Sequence, residues 1–248
     1  MNSVALGGIV FVCLFGGALI GISLRARLPE HHLSSDSKDA IRLATAIVGT
    51  LSALALGLLV ASAKTSRDAA EAEMRTSAGH IVLLDRVMAH YGEATKNARV
   101  SLRKFLEERL DHGWLENDAP SVNTGLEEVQ DLLRALTPNT NAERWLQSQA
   151  LDVSGKIAEA EWLFVASGEE VLPWAFLVVV VFWLAVIFGT FGLLAPSNPT
   201  VVATLLVCSL SVAGAVFLIV DMANPYRGVI YISDSPLRSS LRQLGPPE

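Results

Sequence analysis

The segment LPEHHLSSDSKD, residues 28–39, gathers two histidines and three carboxylates in one short polar stretch. Imidazole and carboxylate groups are ligands of zinc and other divalent cations, so metal binding is one chemistry open to it. The spacing argues against that chemistry. His31 and His32 are adjacent, and neighbours in sequence do not converge on one ion as a pair four apart on a helix does. The competing reading is a helix start. Ser35 or Asp36 caps the helix that follows, and Asp39 favours its first turn, where backbone N–H groups leave positive charge. The two histidines titrate near neutrality and could sense pH at an entrance.

Other reactive patterns are missing from the sequence. There is no G-x-S-x-G, Walker loop, H-E-x-x-H or CxxC pair. His80, His90 and His112 lie in a polar region without a nucleophile pattern beside them. The expectation is therefore no enzyme, no catalytic residue, no metal and no cofactor. The net charge of −6 comes without a basic cluster, which gives no footprint for nucleic acid. Cys13 and Cys208 both sit in apolar runs, so a disulfide framework is not expected.

The elements that would position any site are set by hydropathy. The chain has 248 residues, is 51% hydrophobic and has mean hydropathy +0.42. Four apolar runs, at 4–24, 43–63, 173–195 and 200–220, each reach the roughly 20 residues needed to cross about 30 Å of hydrocarbon. The first run has no basic residue before it, is long for a signal peptide and ends on Arg25 and Arg27, so it reads as a retained span. The runs form two hairpins. The second turns through Pro196–Pro199, short enough to make its helices antiparallel neighbours, with Asn198 as cap and Pro199 in the first turn. Pro173 suits the first turn of the third span in the same way.

Between the hairpins the pattern is helical. Ile81, Leu84 and Met88 mark one face, and 100–110 shows helical spacing. Leu126, Val129, Leu132, Leu133 and Leu136 mark another face, which ends at Pro138. Thr140 or Asn141 caps a further helix carrying Trp145, Leu146, Ile157, Trp162 and Phe164. The expected divisions are 1–63 as a first membrane hairpin, 64–172 as a helical domain, 173–222 as a second hairpin and 223–248 as a tail. Basic residues flank both sides of the spans almost equally, so charge does not decide sidedness.

The second span carries small residues at about four-residue spacing: Gly49, Ala53, Gly57 and Ala61. One reading is a seam where helix backbones pack closely in the bilayer. The other is a pore wall, in which Gly49, Ala53, Leu56, Gly57, Val60 and Ala61 make a narrow apolar constriction that ends at Lys64. No proline stops this helix. It runs on through Arg67, Asp68 and Glu71, as a pore helix entering a charged vestibule would, or as a stalk would. The tail leaves the fourth span at Asp221, turns at Asn224 and Pro225, and passes Tyr226 and a short extended piece at 229–232 to reach Asp234. Asp221 and Asp234 are too few for a calcium site, which takes six or more oxygens.

Three stretches, LPEHHLSSDSKDAIRLATAIVGTLSALALGLLVASAKTS, GHIVLLDRVMAHYG and FGLLAPSNPTVVATLLVCSLSVAGAVFLIVDMANPYRGVIYISDSPLRSSL, resemble a bacterial family of bestrophin-like membrane proteins. The resemblance implies an all-α membrane protein of four transmembrane helices in two hairpins. A helical extramembrane domain would sit between helices 2 and 3. It also implies a homopentamer in the bacterial inner membrane, with the N-terminus, the helical domain and the C-terminus in the cytoplasm. Small inorganic ions would pass a pore lined by the second helix. The tail resembles the bestrophin Glu-Asn-Pro-Phe-Gly and Asp-Leu-Pro-Leu elements in a reduced form. Tyr226 stands for the Phe, Arg227 intrudes before Gly228, and the acidic run shrinks to Asp221. The alternatives are a non-conducting scaffold or signalling protein whose helical domain recruits a partner and, from a third class, a membrane enzyme using His31, His32 and a metal.

Overall fold

A computed structural model describes residues 3–29, 34–112, 122–166, 174–223, 229 and 232–244. The described residues form helices and no strand. Eight α-helices follow in order: α1 (Ser3–Arg27), α2 (Ser35–Tyr91), α3 (Lys96–His112), α4 (Val122–Arg134), α5 (Asn141–Ala166), α6 (Trp174–Leu194), α7 (Pro199–Ala223) and α8 (Ser235–Gln243). Two compact units result, Met1–Arg67 with Glu170–Tyr231, and Asp68–Glu169 with Ile232–Glu248. The residue α2 contributes to the first unit last is Arg67, yet the helix continues unbroken to Tyr91. His31, His32 and Pro173 lie outside the described residues.

In the first unit, α1, α6, α7 and the first part of α2 are long and apolar enough to cross a membrane. Their arrangement differs from simple hairpin pairing. Both α6 and α7 pack on α1, and they touch one another far less than either touches it. Glycine is the reason. A Cβ on Gly17 would come within 2.9 Å of the Ala185 carbonyl oxygen. One on Gly21 would collide with the Gly189 carbonyl and the Leu193 amide, and one on Gly192 with the Ala18 carbonyl. All of these are backbone atoms, which cannot swing aside. On the α7 side, a Cβ on Gly7 would stand 3.1 Å from the Cβ of Phe217. Lipid tails are as apolar as leucine, so membrane helices associate through close packing rather than apolar burial, and small residues make that packing close.

The helix ends are capped locally. Ser34 is the cap of α2: its hydroxyl accepts from the Ser37 amide at 3.4 Å, and its carbonyl accepts from Lys38. Ser35 and Asp36, expected as caps, occupy the first turn, and Asp39 lies beyond it, paired with Arg42. Asn198 caps α7 through its side-chain oxygen at 2.9 Å from the Val201 amide, with Pro199 at the first helical position. Thr140 and Glu143 form a reciprocal capping box on α5. α2 ends at Gly92, whose φ of 107° suits only glycine, and Thr95 closes the turn onto the Met88 and Gly92 carbonyls.

The second unit has its own core. Ile81, Leu84 and Met88 are fully buried, as are Leu102 and Leu106 of α3, Val129 and Leu133 of α4, Ile157 of α5 and Leu237 of α8. Trp145 and Trp162 are exposed on α5. Gln147 donates to the Leu133 and Leu136 carbonyls and so closes the end of α4 from α5. Ser240 ties α8 to α2 through the Ala78 carbonyl at 3.0 Å. Ion pairs bridge helices in this unit. Asp85 of α2 takes two hydrogen bonds from Arg99 of α3, and Arg109 of α3 places Nε and Nη2 at 3.1 and 2.7 Å from one oxygen of Glu161 on α5. Arg109 and Glu161 are both buried. Desolvation holds the Glu161 carboxyl above the usual range, against the opposing pull of Arg109.

Two outcomes follow. Gly21→Ala lowers the thermal stability of the purified protein by about 3 kcal/mol or more, because overpacking here meets backbone. Gly16→Ala, where the added methyl meets nothing within 4 Å, leaves it unchanged or raised. Between the ordinary carboxylate value and the raised Glu161 value, the folded chain holds a proton that the unfolded chain releases. Stability from this group is therefore lost as pH rises through that window. Melting curves from pH 4.5 to 7 should show this slope, and Glu161→Gln should remove it.

Candidate functional site

The first part of α2 presents three different faces. Ser52, Ala55, Leu59 and Ala63 recur at three- and four-residue steps and are all buried. The last three join the core cluster of α1, α6 and α7. Leu43, Ile47, Leu51, Leu54 and Leu58 form a second face of large apolar side chains, exposed by between 47% and 67%. The third face holds Ala53, Gly57, Val60, Ala61 and Lys64, all exposed, with half-buried Gly49 at its edge. A Cβ on Gly49 or on Gly57 would meet nothing within 4 Å.

The small-residue stripe is thus not the seam that holds α2 to its own chain. That seam is the neighbouring set at Ser52–Ala63, where the Ser52 hydroxyl turns back to the Val48 carbonyl and leaves a smooth surface. Val60, 45% exposed, is the largest apolar side chain on the open face. Leu56 departs from the expected set, because it is half-buried against the core cluster. Near its start α2 is cross-linked to α6, where Thr45 donates to the Thr190 hydroxyl at 3.2 Å.

Arg67 is half-buried at the end of the first unit's share of α2. In the second unit, Asp68, Glu71, Ala72 and Arg75 line a shallow depression on α2, and Glu71 pairs with Arg75 at 2.5 Å. The tail residues divide in the same way. Asp221 is fully buried at the end of α7, and its Oδ1 accepts from the Val229 amide at 2.7 Å, closing the chain back on the helix. Asp234 precedes α8 and pairs with Arg238 at 2.8 Å. Asn224, Pro225 and Tyr226 lie outside the described residues, as do residues 230 and 231 of the extended piece expected at 229–232. Among the described residues, no three His, Cys, Asp or Glu side chains come together in a way that could hold a metal ion.

A family model for the bestrophin-like domain matches residues 12–237, from the first span to the start of α8. The chain belongs to the bestrophin-like family. No curated protein and no solved structure matches it at a significant level. As a bestrophin-like chain with four membrane-length helices, it is a membrane protein. The bestrophin-like match runs through all of α2, including the part beyond the membrane. Sequence reasoning missed two features here. It did not separate the Ser52–Ala63 seam from the Gly49–Ala61 stripe, since both are built of small residues. It also missed the buried Arg109–Glu161 pair, whose partners stand 52 positions apart.

The two faces should respond in opposite ways to a bulky side chain. Ala55→Leu overpacks the seam and lowers stability in detergent by about 1–3 kcal/mol. Ala53→Leu, on the open face, stays within about 0.5 kcal/mol of the parent. Thermal unfolding followed by circular dichroism checks both.

Proposed function

We propose that this chain is the subunit of a homopentameric ion channel whose central pore is lined by α2. The observation that carries this reading is the open small-residue face. The chain's own helices use the seam at Ser52–Ala63 and leave Ala53, Gly57, Val60 and Ala61 uncovered. Membership of the bestrophin-like family supports the same reading. Arranged about an axis, these residues would make successive apolar rings, and Val60 would set the narrowest one. Apolar constrictions of that kind gate by dewetting.

Lys64 then stands as a positive ring at the end of the apolar face. Asp68 and Glu71 follow one and two turns further along the same uninterrupted helix. This continuity gives the helix a reason to outlast the bilayer: the wall of the pore becomes the wall of a charged vestibule. The same reading places the protein in the bacterial inner membrane, with the helical unit and both termini in the cytoplasm.

Ion flux into liposomes containing the purified protein tests the proposal. The parent should conduct, Val60→Ala should raise flux, and Gly57→Leu should lower it about tenfold by occluding the ring, a change of about 1.4 kcal/mol in the barrier. Flux that is indifferent to both substitutions would contradict an α2-lined pore.

A further inference from the structure

A groove of 330 Å³ runs between the start of α2 and the end of α6. Its α2 wall is Arg42, Thr45, Ala46 and Gly49, and its α6 wall is Ile187, Phe191 and Leu194. The Thr45–Thr190 hydrogen bond pins the walls together, with α2 running inward from Arg42 as α6 runs back from Leu194. Eight residues of helix on each wall, seven rises, give a length of about 10 Å.

The polarity of the groove is one-sided. Both threonine hydroxyls are satisfied, by each other and by the Ile41 and Ile187 carbonyls. The charged side chain on the lining is Arg42, at the end where the apolar run gives way to the polar loop. A second guanidinium belongs to this end, since Arg25 of α1 donates to the carbonyl of groove-lining Leu194 at 2.9 Å. Asp39 pairs with Arg42 at 3.2 Å, but both side chains are 67% exposed, and such a pair is readily exchanged for another anion.

We infer that the groove is a site for one anionic phospholipid, with its phosphate on Arg42 and an acyl chain laid inward along Ala46, Gly49 and Phe191. Two arginines against one aspartate leave net positive charge at the membrane boundary, which is the complement of an anionic headgroup. The apolar remainder, Ala46, Gly49, Ile187 and Phe191, belongs to the membrane-length stretches of α2 and α6. The open space beside Gly49 gives it room. The site shares Gly49 with the edge of the open α2 face, so Arg42→Gln, outside the Ala53–Lys64 stretch, is the variant that separates its failure from failure of the channel reading.

The test adds dioleoyl phosphatidylglycerol, dioleoyl phosphatidylcholine or inorganic phosphate to the purified full-length protein in detergent. Thermal shift and native mass spectrometry give the readouts. The expected result is a raised melting midpoint and one retained adduct per chain with phosphatidylglycerol, and neither with the other two. Arg42→Gln, an exposed change that should not disturb folding, should weaken the adduct roughly fivefold. Gly49→Phe should fill the groove and remove the adduct. Equal binding of phosphatidylcholine, a shift with phosphate alone, or an unchanged response in Arg42→Gln would overturn the inference. So would a disulfide formed between copies by Phe191→Cys, on the α6 wall, which would make a second subunit the occupant.

Discussion

The membrane unit depends on the contact between the backbones of α1 and α6. Gly21 faces the Gly189 carbonyl, Gly192 faces the Ala18 carbonyl, and neither position has room for a methyl group. In a bilayer, where apolar burial does little to bring helices together, such proximity is what dispersion and weak backbone contacts require. It makes α1 the centre of its unit, with α7 packed on it as well. α2 then needs only one narrow face to join them, and Ala55, Leu59 and Ala63 supply it. The consequence is a helix with two faces left over, one of large apolar residues and one of small ones.

That surplus connects the fold to the proposed channel. A helix that served only as an anchor would need no distinction between its uncovered faces, since leucine and glycine are both acceptable to lipid. Here the distinction is kept over about two turns, with Leu54 and Leu58 on one side and Ala53, Gly57 and Ala61 on the other. Beyond Arg67 the helix packs into the core of the second unit. Ile81, Leu84 and Met88 are buried there, Asp85 is clamped by Arg99, and Gly92 and Thr95 close the end. Burying the Arg109–Glu161 pair costs desolvation on both partners, and two hydrogen bonds to one oxygen offset part of it. Such a pair fixes how α3 meets α5 more than it adds stability.

Much of this was legible from the residues alone. Span lengths follow from composition, and the Asn198–Pro199 start follows from spacing that has one physical use, whereas the sequence leaves the start of α5 open between Thr140 and Asn141, and the Glu143 contacts select Thr140. Ser34 was not singled out because Ser34, Ser35, Asp36 and Ser37 all offer a capping oxygen, and only the backbone path selects one. The glycines of α1 and α6 are visible in the sequence, but which pairs meet is a matter of rotation in three dimensions. The same holds for α2. Two stripes of small residues lie about 135° apart on one helix, and nothing in their composition says which one faces the chain's own core. The ion pairs between distant helices carry no local signature at all.

In the proposed channel the open face of α2 looks onto an axis shared by copies of the chain. Native mass spectrometry of the protein released from detergent or nanodiscs tests it most directly. Five chains per particle is the predicted result, because a ring of five gives the small-residue face a common axis to line. A monomer or dimer would contradict it: with no axis to surround, the long helix would be a stalk between membrane and helical unit.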